Sequence, residues 1–521
     1  STRLAPIVRR MLGTRRLGRF ICVLGLLAWG CSSCQSSSEA PGDEWPTSPP
    51  EEQGFDSAGL ASVVEQIDSE GLPIDSVQIV RNGVLIVDAY FYPYLGEQPH
   101  DIASVTKSVT STLVGIAVDQ ELLDLDQGVT DFFGDLAPPP TGDGKENIDL
   151  EHLLTMSSGL ACGYLPGEQE LYAMIASVDY VEYALELPMA TTPGSAFAYC
   201  SPGSHLLSAM VSSVAEQTTH AFAITNLFEP LGIAQSVWPN DPQGVNHGWG
   251  DLQLHPRDMA RIGQLFLNDG AWNGEQIVSS TWVDAATQPY LSTGPDGTGY
   301  GYQWWILAGE LEGLYEAQGR GGQAIMVWPD KDVVAVFTGR GIDVRSDIAP
   351  LLAAALQSDE ALEPNAEGFA RLTQAIEEAT KPPPAKPVPD LPPMAAAVSG
   401  KIYRLEPNQF DVRCISLLFE SPSDVMFTLT VGEGSFELPV GMDGVPQFSE
   451  SGPTGIPVGV TGEWTAPLVF EMSYDEVAGL NHLQIRGDFP PDADSVTLLF
   501  ADPAGAFPPQ VVPAAAAPSC K

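Results

Sequence analysis

The chain is poor in basic residues. Of its 521 residues, lysine and arginine together account for only 23, whereas aspartate and glutamate account for 67, so the formal net charge is −44. A surface of this sign repels phosphate backbones and anionic lipid head groups. These numbers exclude nucleic acid as a partner and disfavour adsorption to anionic membranes.

Long apolar runs are also lacking. The run Phe20–Trp29 follows six arginines and is too short to span a bilayer as a mature helix. Arginines followed by a short apolar run are typical of an export signal. Residues 1–30 are therefore predicted to be a signal peptide, and residues 31–50, rich in Ser, Pro and Glu, a flexible tether.

The end of the leader resembles a bacterial lipoprotein cleavage site. The four residues are Ala28-Trp29-Gly30-Cys31, which predicts lipidation of Cys31, with plain secretion as the alternative. The predicted location is the bacterial cell envelope, as a lipoprotein or a periplasmic protein, or the medium. A lipid anchor is the only membrane attachment expected.

Cysteine is scarce, at seven residues, three of which lie within the first 34. Export would place the other four in an oxidising compartment. Four cysteines allow three pairings, and proximity within domains favours Cys162–Cys200 and Cys414–Cys520. Four free buried thiols are the alternative.

Several motifs of other enzyme classes are missing. The seven histidines have no metal-binding spacing, and His152 and His205 are predicted to be structural. The absence of Gly-x-Ser-x-Gly argues against an α/β-hydrolase. The glycines of 319–322 are not followed by Lys-Ser or Lys-Thr, so they do not form a phosphate loop. We expect no metal and no organic cofactor.

The pattern of strands and helices predicts an α+β domain over residues 51–360. A hairpin is expected over 76–87, because Asn82-Gly83 supplies the positive φ angles of a tight turn. A second hairpin is expected over 324–337, and a helical section lies between the two. Strands from both ends of the domain then share one sheet.

The remainder of the chain divides into a linker and a second domain. Residues 361–398 contain a helix followed by a proline-rich, extended stretch. Residues 399–521 alternate as half-buried strands, which predicts a small antiparallel β domain. No catalytic constellation occurs in this second domain.

Ser104 and Lys107 are the strongest chemical signal. A serine needs a base to become a nucleophile, and a lysine three residues along a helix lies on the same face. Only three basic residues occur between Glu51 and Pro256, and Lys107 is one of them. The alternative is a helix N-terminus in which Ser104 is a cap and Lys107 is solvated.

Three further segments favour the catalytic interpretation of Ser104 and Lys107 over the helix cap. They are Leu153–Leu160, Pro193–Ser201 and Ala317–Gln323. In this order after Ser104-Val105-Thr106-Lys107, they resemble the penicillin-recognising serine hydrolases over about 51–360. That superfamily includes class C β-lactamases, D-alanyl-D-alanine peptidases, esterases and 6-aminohexanoate-dimer hydrolases, and the motifs look most like the last branch. The resemblance implies a β-lactamase/D,D-peptidase-like fold.

The resemblance also implies roles for individual residues. Ser104 would attack, Lys107 would be the base, and Tyr199 would carry a proton to the leaving group. The backbone N–H of Ser104 and one N–H after Gly319, with Arg320 as the first candidate, would stabilise the oxyanion. The oxyanion and substrate-binding set comprises Ser201, Gly319, Arg320, Gly321, Gly322 and Gln323.

Two departures from the family pattern bear on the substrate. Ser201 stands where many relatives have Asn, and Ala317 stands where β-lactamases and peptidases have Lys or His. The second change removes the cation that pairs with a substrate carboxylate. Because Arg320 is expected on the opposite strand face, weak activity on penicillins is expected, and esters or linear amides are favoured.

The sequence thus predicts a serine hydrolase acting on a small-molecule ester or amide through an acyl-enzyme. A β-lactamase or D-alanyl-D-alanine carboxypeptidase is the alternative within the enzymes. A catalytically inactive envelope binding or sensor module is the alternative outside them. Trp304 and Trp305 either line the cleft or pack in the core, and the oligomeric state is not predicted.

Overall fold

A computed structural model describes residues 45–520 apart from 135–141, 143, 164–167 and 504–507. The predicted signal peptide, Cys31 and most of the predicted tether lie outside the described residues. No helix within the described ranges is long and apolar enough to cross a membrane.

The helices lie mostly between the two predicted hairpins. In chain order they are α1 (Ser57–Glu70), α2 (Val105–Asp119), α3 (Val129–Phe133), α4 (Leu150–Leu154), α5 (Gln169–Ile175), α6 (Tyr180–Glu186), α7 (Ser201–Val214), α8 (Thr219–Ala223), α9 (Glu229–Leu231), α10 (Pro256–Leu267), α11 (Ser280–Ala286), α12 (Val344–Asp347), α13 (Ala349–Ala355), α14 (Ala366–Ala379) and α15 (Pro393–Val398).

The strands of the first part of the chain are β1 (Ile74–Arg81), β2 (Val84–Tyr90), β3 (His100–Asp101), β4 (Gln253–Leu254), β5 (Ala271–Trp272), β6 (Glu275–Gln276), β7 (Leu291–Ser292), β8 (Gly299–Tyr300), β9 (Trp305–Ile306), β10 (Tyr315–Gly319), β11 (Gln323–Trp328) and β12 (Val333–Gly339). Those of the second part are β13 (Ile402–Leu405), β14 (Val412–Ser421), β15 (Asp424–Val431), β16 (Gly434–Pro439), β17 (Gln447–Ser449), β18 (Val458–Ala466), β19 (Val469–Glu476), β20 (His482–Asp488), β21 (Ser495–Ala501) and β22 (Gln510–Ala517).

The main sheet joins strands from both ends of the first domain. Within the described residues its eight strands have the order β2-β1-β12-β11-β10-β9-β8-β7, and the pairs are antiparallel. Asn82 and Gly83 both have positive φ, at 50° and 73°, which is the geometry that a tight hairpin requires. Both predicted hairpins are therefore present, at β1–β2 and β11–β12.

Alternation along β12 assigns the two faces of the sheet. Val334 and Val336 belong to the core shared with α2 and α10, whereas Ala335 and Phe337 belong to the core shared with α1, α13 and α14. Helix α14, predicted within the segment 361–398, packs along α1 and buries Leu372 there. It thus adds to the helical layer on one face of the sheet.

The C-terminal part forms one antiparallel sheet curved around its own core. Within the described residues its ten strands run in the order β16-β15-β14-β13-β22-β21-β20-β19-β18-β17. Alternate residues of β15 face inward, with Phe427 buried at 1% exposure and Thr428 half-buried. A disulfide joins Cys414 on β14 to Cys520 just after β22. The predicted fold class, α+β with a C-terminal antiparallel β domain, is confirmed.

Candidate active site

Ser104 stands at the point where the short strand β3 gives way to α2. It precedes the first helical residue, yet its side chain makes no capping hydrogen bond. Instead, Lys107 Nζ lies 3.0 Å from Ser104 Oγ. The geometry does not match the alternative in which Ser104 is a cap and Lys107 is solvated.

Lys107 is buried to 1% exposure within α2. Its Nζ also donates a hydrogen bond to the Trp249 carbonyl at 2.8 Å, which fixes the amine against Ser104. Burial lowers the pKa of Lys107 to about 8, although the carboxylates of Glu168 and Asp251 oppose this change. About a tenth of the amine is then neutral at pH 7 and able to accept a proton.

The backbone just before Ser104 is held in an uncommon conformation. Ala103 has φ 47°, and its N–H donates to Asp101 Oδ1 at 2.8 Å. A non-glycine residue with positive φ is strained and needs support from its surroundings. Burial raises the pKa of Asp101 to about 7, and the nearby Asp251 adds to this effect. Sequence reasoning missed Asp101.

Tyr199 lies beside the pair. Its ring centroid is 4.7 Å from Lys107 Nζ, and the ring stacks on Trp305 at 6.0 Å. The next residue, Cys200, forms a disulfide with Cys162, the pair favoured from sequence. The structure therefore brings Ser104, Lys107 and Tyr199 together.

The motif around Ser157-Ser158-Gly159 supports the Tyr199 loop through its backbone. The Gly194 N–H donates to the Ser157 carbonyl at 2.8 Å, and the Ala198 N–H donates to the Met156 carbonyl at 2.8 Å. Gly159 has φ 78°, and a Cβ there would lie 2.3 Å from the Thr191 carbonyl oxygen. Only glycine fits this close approach.

Gly319, the last residue of β10, touches the segment that carries Ser104. A Cβ on Gly319 would lie 2.8 Å from the Ile102 carbonyl oxygen and 3.0 Å from Ser104 N. No described residue accepts a hydrogen bond from the Ser104 N–H. The Ser104 N–H and Gly319 thus lie close together, and the residue after Gly319 is Arg320, the first candidate for the second oxyanion donor.

The residues after Gly319 form a tight loop. Gly321 and Gly322 have φ 90° and 99°, and added Cβ atoms would meet Gly339 O and Ile342 Cγ2. Arg320 is exposed in this loop and lies beyond the end of β10, so the strand alternation assumed for its side chain does not apply. Gln323 is fully buried, and its amide donates to the Gly339 and Arg320 carbonyls, which fastens the loop from inside.

Ser201 begins α7 and faces an acidic residue that sequence reasoning missed. Its hydroxyl donates to Glu168 Oε2 at 2.5 Å. The same carboxylate raises the pKa of Lys107 against the effect of burial. Nothing near Glu168 in the sequence marks it among 67 acidic residues.

The position of the missing family cation is occupied by a buried Ala317. Arg345 lies on this side of the site, where its Nε donates to Glu316 and its guanidinium lies 5.4 Å from the Trp305 ring centroid. Burial raises the pKa of Glu316 to about 7, although Arg345 opposes this. The cation of Arg345 is therefore already engaged by a protein carboxylate.

The two adjacent tryptophans have different positions. Trp304 is fully buried and packs on Phe266 at 4.4 Å, so it belongs to the core. Trp305 is half-buried and stacks on Tyr199, with Phe197 and Tyr300 at its edges. Trp305 therefore lines the side of the site on which Tyr199 lies beside Ser104 and Lys107.

The two histidines predicted to be structural make local pairs. His152 takes part in a capping box with Asp149 at the start of α4, and buried His205 pairs with Asp241 at 3.0 Å. Over the described ranges no cluster of His, Cys, Asp and Glu is arranged to hold a metal ion.

Comparison with known proteins places this site in a family. The sequence profile described as Beta-lactamase matches residues 60–355, more than half of the chain. The 6-aminohexanoate-dimer hydrolase of Paenarthrobacter ureafaciens is 24% identical over 286 residues, which cover 50% of this chain and 71% of that protein. The family inferred from the motifs is confirmed, and the hydrolase of Paenarthrobacter ureafaciens carries the name of the branch that the motifs most resemble.

Two solved structures align with this chain. A putative 6-aminohexanoate-dimer hydrolase from Bacillus anthracis aligns with 21% identity and a TM-score of 0.49, covering 64% of this chain and 87% of that one. An octameric penicillin-binding protein homologue from Pyrococcus abyssi aligns with 18% identity and a TM-score of 0.45, covering 88% and 100%.

Proposed function

Since the chain belongs to the beta-lactamase family, we propose that it is a serine hydrolase that cleaves an ester or amide bond through a covalent acyl-enzyme on Ser104. The observation that carries the proposal is the contact of 3.0 Å between Ser104 Oγ and the buried Lys107 amine, whose pKa is lowered to about 8. A nucleophile beside a base with a depressed pKa is the minimum that acyl transfer requires.

The proposed reaction has two halves. Neutral Lys107 accepts the Ser104 proton as Oγ attacks the substrate carbonyl, and the N–H groups of Ser104 and Arg320 stabilise the oxyanion. As the carbon–oxygen or carbon–nitrogen bond breaks, Tyr199 passes its proton to the alcohol or amine that leaves and takes up the proton held by Lys107, which is neutral again. In the second half Lys107 accepts a proton from the water that attacks the acyl-enzyme, and this proton passes to Ser104 Oγ as the bond between Oγ and the acyl carbon breaks and the acid leaves.

The surroundings favour substrates that do not depend on a carboxylate. Ala317 supplies no cation, Arg345 is engaged by Glu316, and the carboxylate of Glu168 lies at Ser201. The charge of Arg320 acts on the carboxyls of Asp101 and Glu476, so the position of Ala317 offers a substrate anion no ion pair and Glu168 repels it. We therefore propose neutral esters or linear amides as the substrate class, and weak turnover of penicillins.

Turnover of p-nitrophenyl acetate and butyrate tests the proposal. We expect wild-type turnover, and a fall of at least ~100-fold in kcat/KM for Ser104→Ala and for Lys107→Ala, because each removes a nucleophile or base. Matched controls are Ser62→Ala on α1 and the exposed Lys381→Ala, which should retain wild-type rates.

Two covalent probes separate the alternatives. Labelling by a fluorophosphonate alone supports an esterase or amidase, and rapid labelling by a fluorescent penicillin would favour a β-lactamase or D,D-carboxypeptidase. If neither probe labels the protein and all variants behave alike, Ser104 is not a nucleophile and the chain is an inert binding module.

A further inference from the structure

The C-terminal β domain contacts the first domain at two places close to Ser104 and Gly319. The described residues from Trp45 onward belong to one compact unit, and the contacts come from the end of β19 and the turn Val477–Asn481 that follows it. One contact is made with the segment before Ser104, and the other with Arg340, whose neighbour Gly341 donates a hydrogen bond to the loop after Gly319.

The first contact is made by the turn. The Ala478 carbonyl accepts a hydrogen bond from the Asp101 N–H at 2.9 Å, and the Val477 carbonyl accepts one from Gln98 Nε2 at 3.0 Å. Both turn residues pack on Tyr94, which is 1% exposed. Asp101 in turn holds the strained Ala103 immediately before the nucleophile.

The turn is itself fixed within the β domain. The buried Glu476 carboxylate accepts hydrogen bonds from Thr454 Oγ1 at 2.6 Å and Asn481 Nδ2 at 2.8 Å. The Val477 N–H donates to the Pro457 carbonyl at 2.8 Å. Hydrogen bonds within the β domain therefore fix the conformation of the turn where it contacts the first domain.

The second contact is an ion pair. Arg340, which directly follows β12, donates from Nη1 to Asp475 Oδ1 at 2.8 Å, and its Nε lies 3.1 Å from Asp75 Oδ1. His482 contacts the same oxygen of Asp475. The residue after Arg340 is Gly341, whose N–H donates to the Gly321 carbonyl at 2.8 Å. Asp475 is thus connected, through Arg340 and Gly341, to the loop that contains Arg320.

We propose that Asp475 is a positioning residue for the hydrolase reaction: through Arg340 it aligns the loop after Gly319 with the Ser104 N–H, while the neighbouring turn anchors Asp101 on the other side. The proposal rests on the proposed function, and it gives the β domain a role in the chemistry of the first domain. Oxyanion donors act mainly in the transition state, so misalignment should lower kcat more than it changes KM.

Asp475→Asn is the decisive variant, because it removes the charge and keeps the shape. The matched control is Asp488→Asn, which breaks an exposed ion pair with Arg486 on the adjacent strand β20. Turnover of p-nitrophenyl butyrate is measured per active site, with sites counted by fluorophosphonate titration, and thermal unfolding is followed in parallel. Counting sites separates misfolded protein from misaligned protein.

We expect kcat per site to fall about ten-fold in Asp475→Asn, less than the loss of a whole oxyanion donor, with KM within two-fold of wild type. Arg340→Lys should lose kcat per site similarly, because one ammonium cannot replace a fork that spans Asp75 and Asp475, and it serves if Asp475→Asn fails to fold. Asp488→Asn should match wild type.

The outcomes are distinguishable. If kcat per site is unchanged while the unfolding temperature drops, Asp475 only stabilises the domain contact and the inference is overturned. If wild-type protein neither turns over the ester nor reacts with the fluorophosphonate, the proposed function itself fails, and the inference fails with it.

Discussion

Two effects act on the pKa of Lys107 in opposite directions. Burial favours the neutral amine that accepts a proton, whereas Glu168 and Asp251 favour the ammonium. The resulting pKa of about 8 means that activity should rise as pH increases through this value, because only the neutral form is a base. The acidic neighbours therefore set the pH range in which the site works.

Glu168→Gln tests this balance. Removing the carboxylate charge lowers the pKa of Lys107 further, so the rise of kcat/KM with pH moves to lower pH, and the rate at pH 7 increases about two- to five-fold. Glu182→Gln, exposed on α6, is the control and should keep the wild-type profile. A superimposable profile for Glu168→Gln would show that this carboxylate does not act on Lys107.

At the scale of elements, the site depends on how closely the end of β10 approaches the start of α2. Local patterns predicted both hairpins and α2, because turn residues and apolar periodicity are local properties. The resemblance to the serine hydrolases directed attention to Gly319. The support of Ala103 by Asp101 was not predictable, because an alanine carries no signal for positive φ and the contact that fixes Asp101 comes from Ala478, far along the chain.

Gly319→Ala tests the close approach. The added Cβ would meet Ile102 O, Ala103 Cβ and Ser104 N at 2.8–3.0 Å, so β10 must move away from the oxyanion site. We expect kcat/KM to fall about 100-fold, comparable to the loss of one oxyanion donor. Gly250→Ala is the matched control, since its Cβ would meet nothing nearer than Ala103 O at 3.8 Å. Equal rates for both variants would mean that the site tolerates a wider gap.

At the scale of the whole molecule, the stability of the β domain depends on a disulfide that joins its two ends. Cys414 and Cys520 are 106 residues apart in sequence, so their disulfide closes most of the domain into one loop. Alternating apolar residues predicted the domain, but its contacts with the first domain use a backbone carbonyl of Ala478 and one carboxylate among many. Such contacts have no distinctive residue pattern, so the sequence did not reveal them.

The double variant Cys414→Ser/Cys520→Ser should lose about 2–5 kcal/mol of unfolding free energy in the β domain, because closing a long loop restricts the unfolded chain. Calorimetry or urea unfolding measures this, with the exposed Ser495→Ala on β21 as the control. An unchanged transition would show that the domain does not need the covalent tie.

The pairing of β1 with β12 also has a consequence for how the protein is made. Arg81 on β1 bonds to the Lys331 carbonyl, 250 residues further along the chain. The centre of the main sheet therefore cannot form until nearly two thirds of the polypeptide has been synthesised. Contacts of such sequence separation slow folding, so the segment that becomes the nucleophile helix is synthesised long before the strand that completes the sheet beside it.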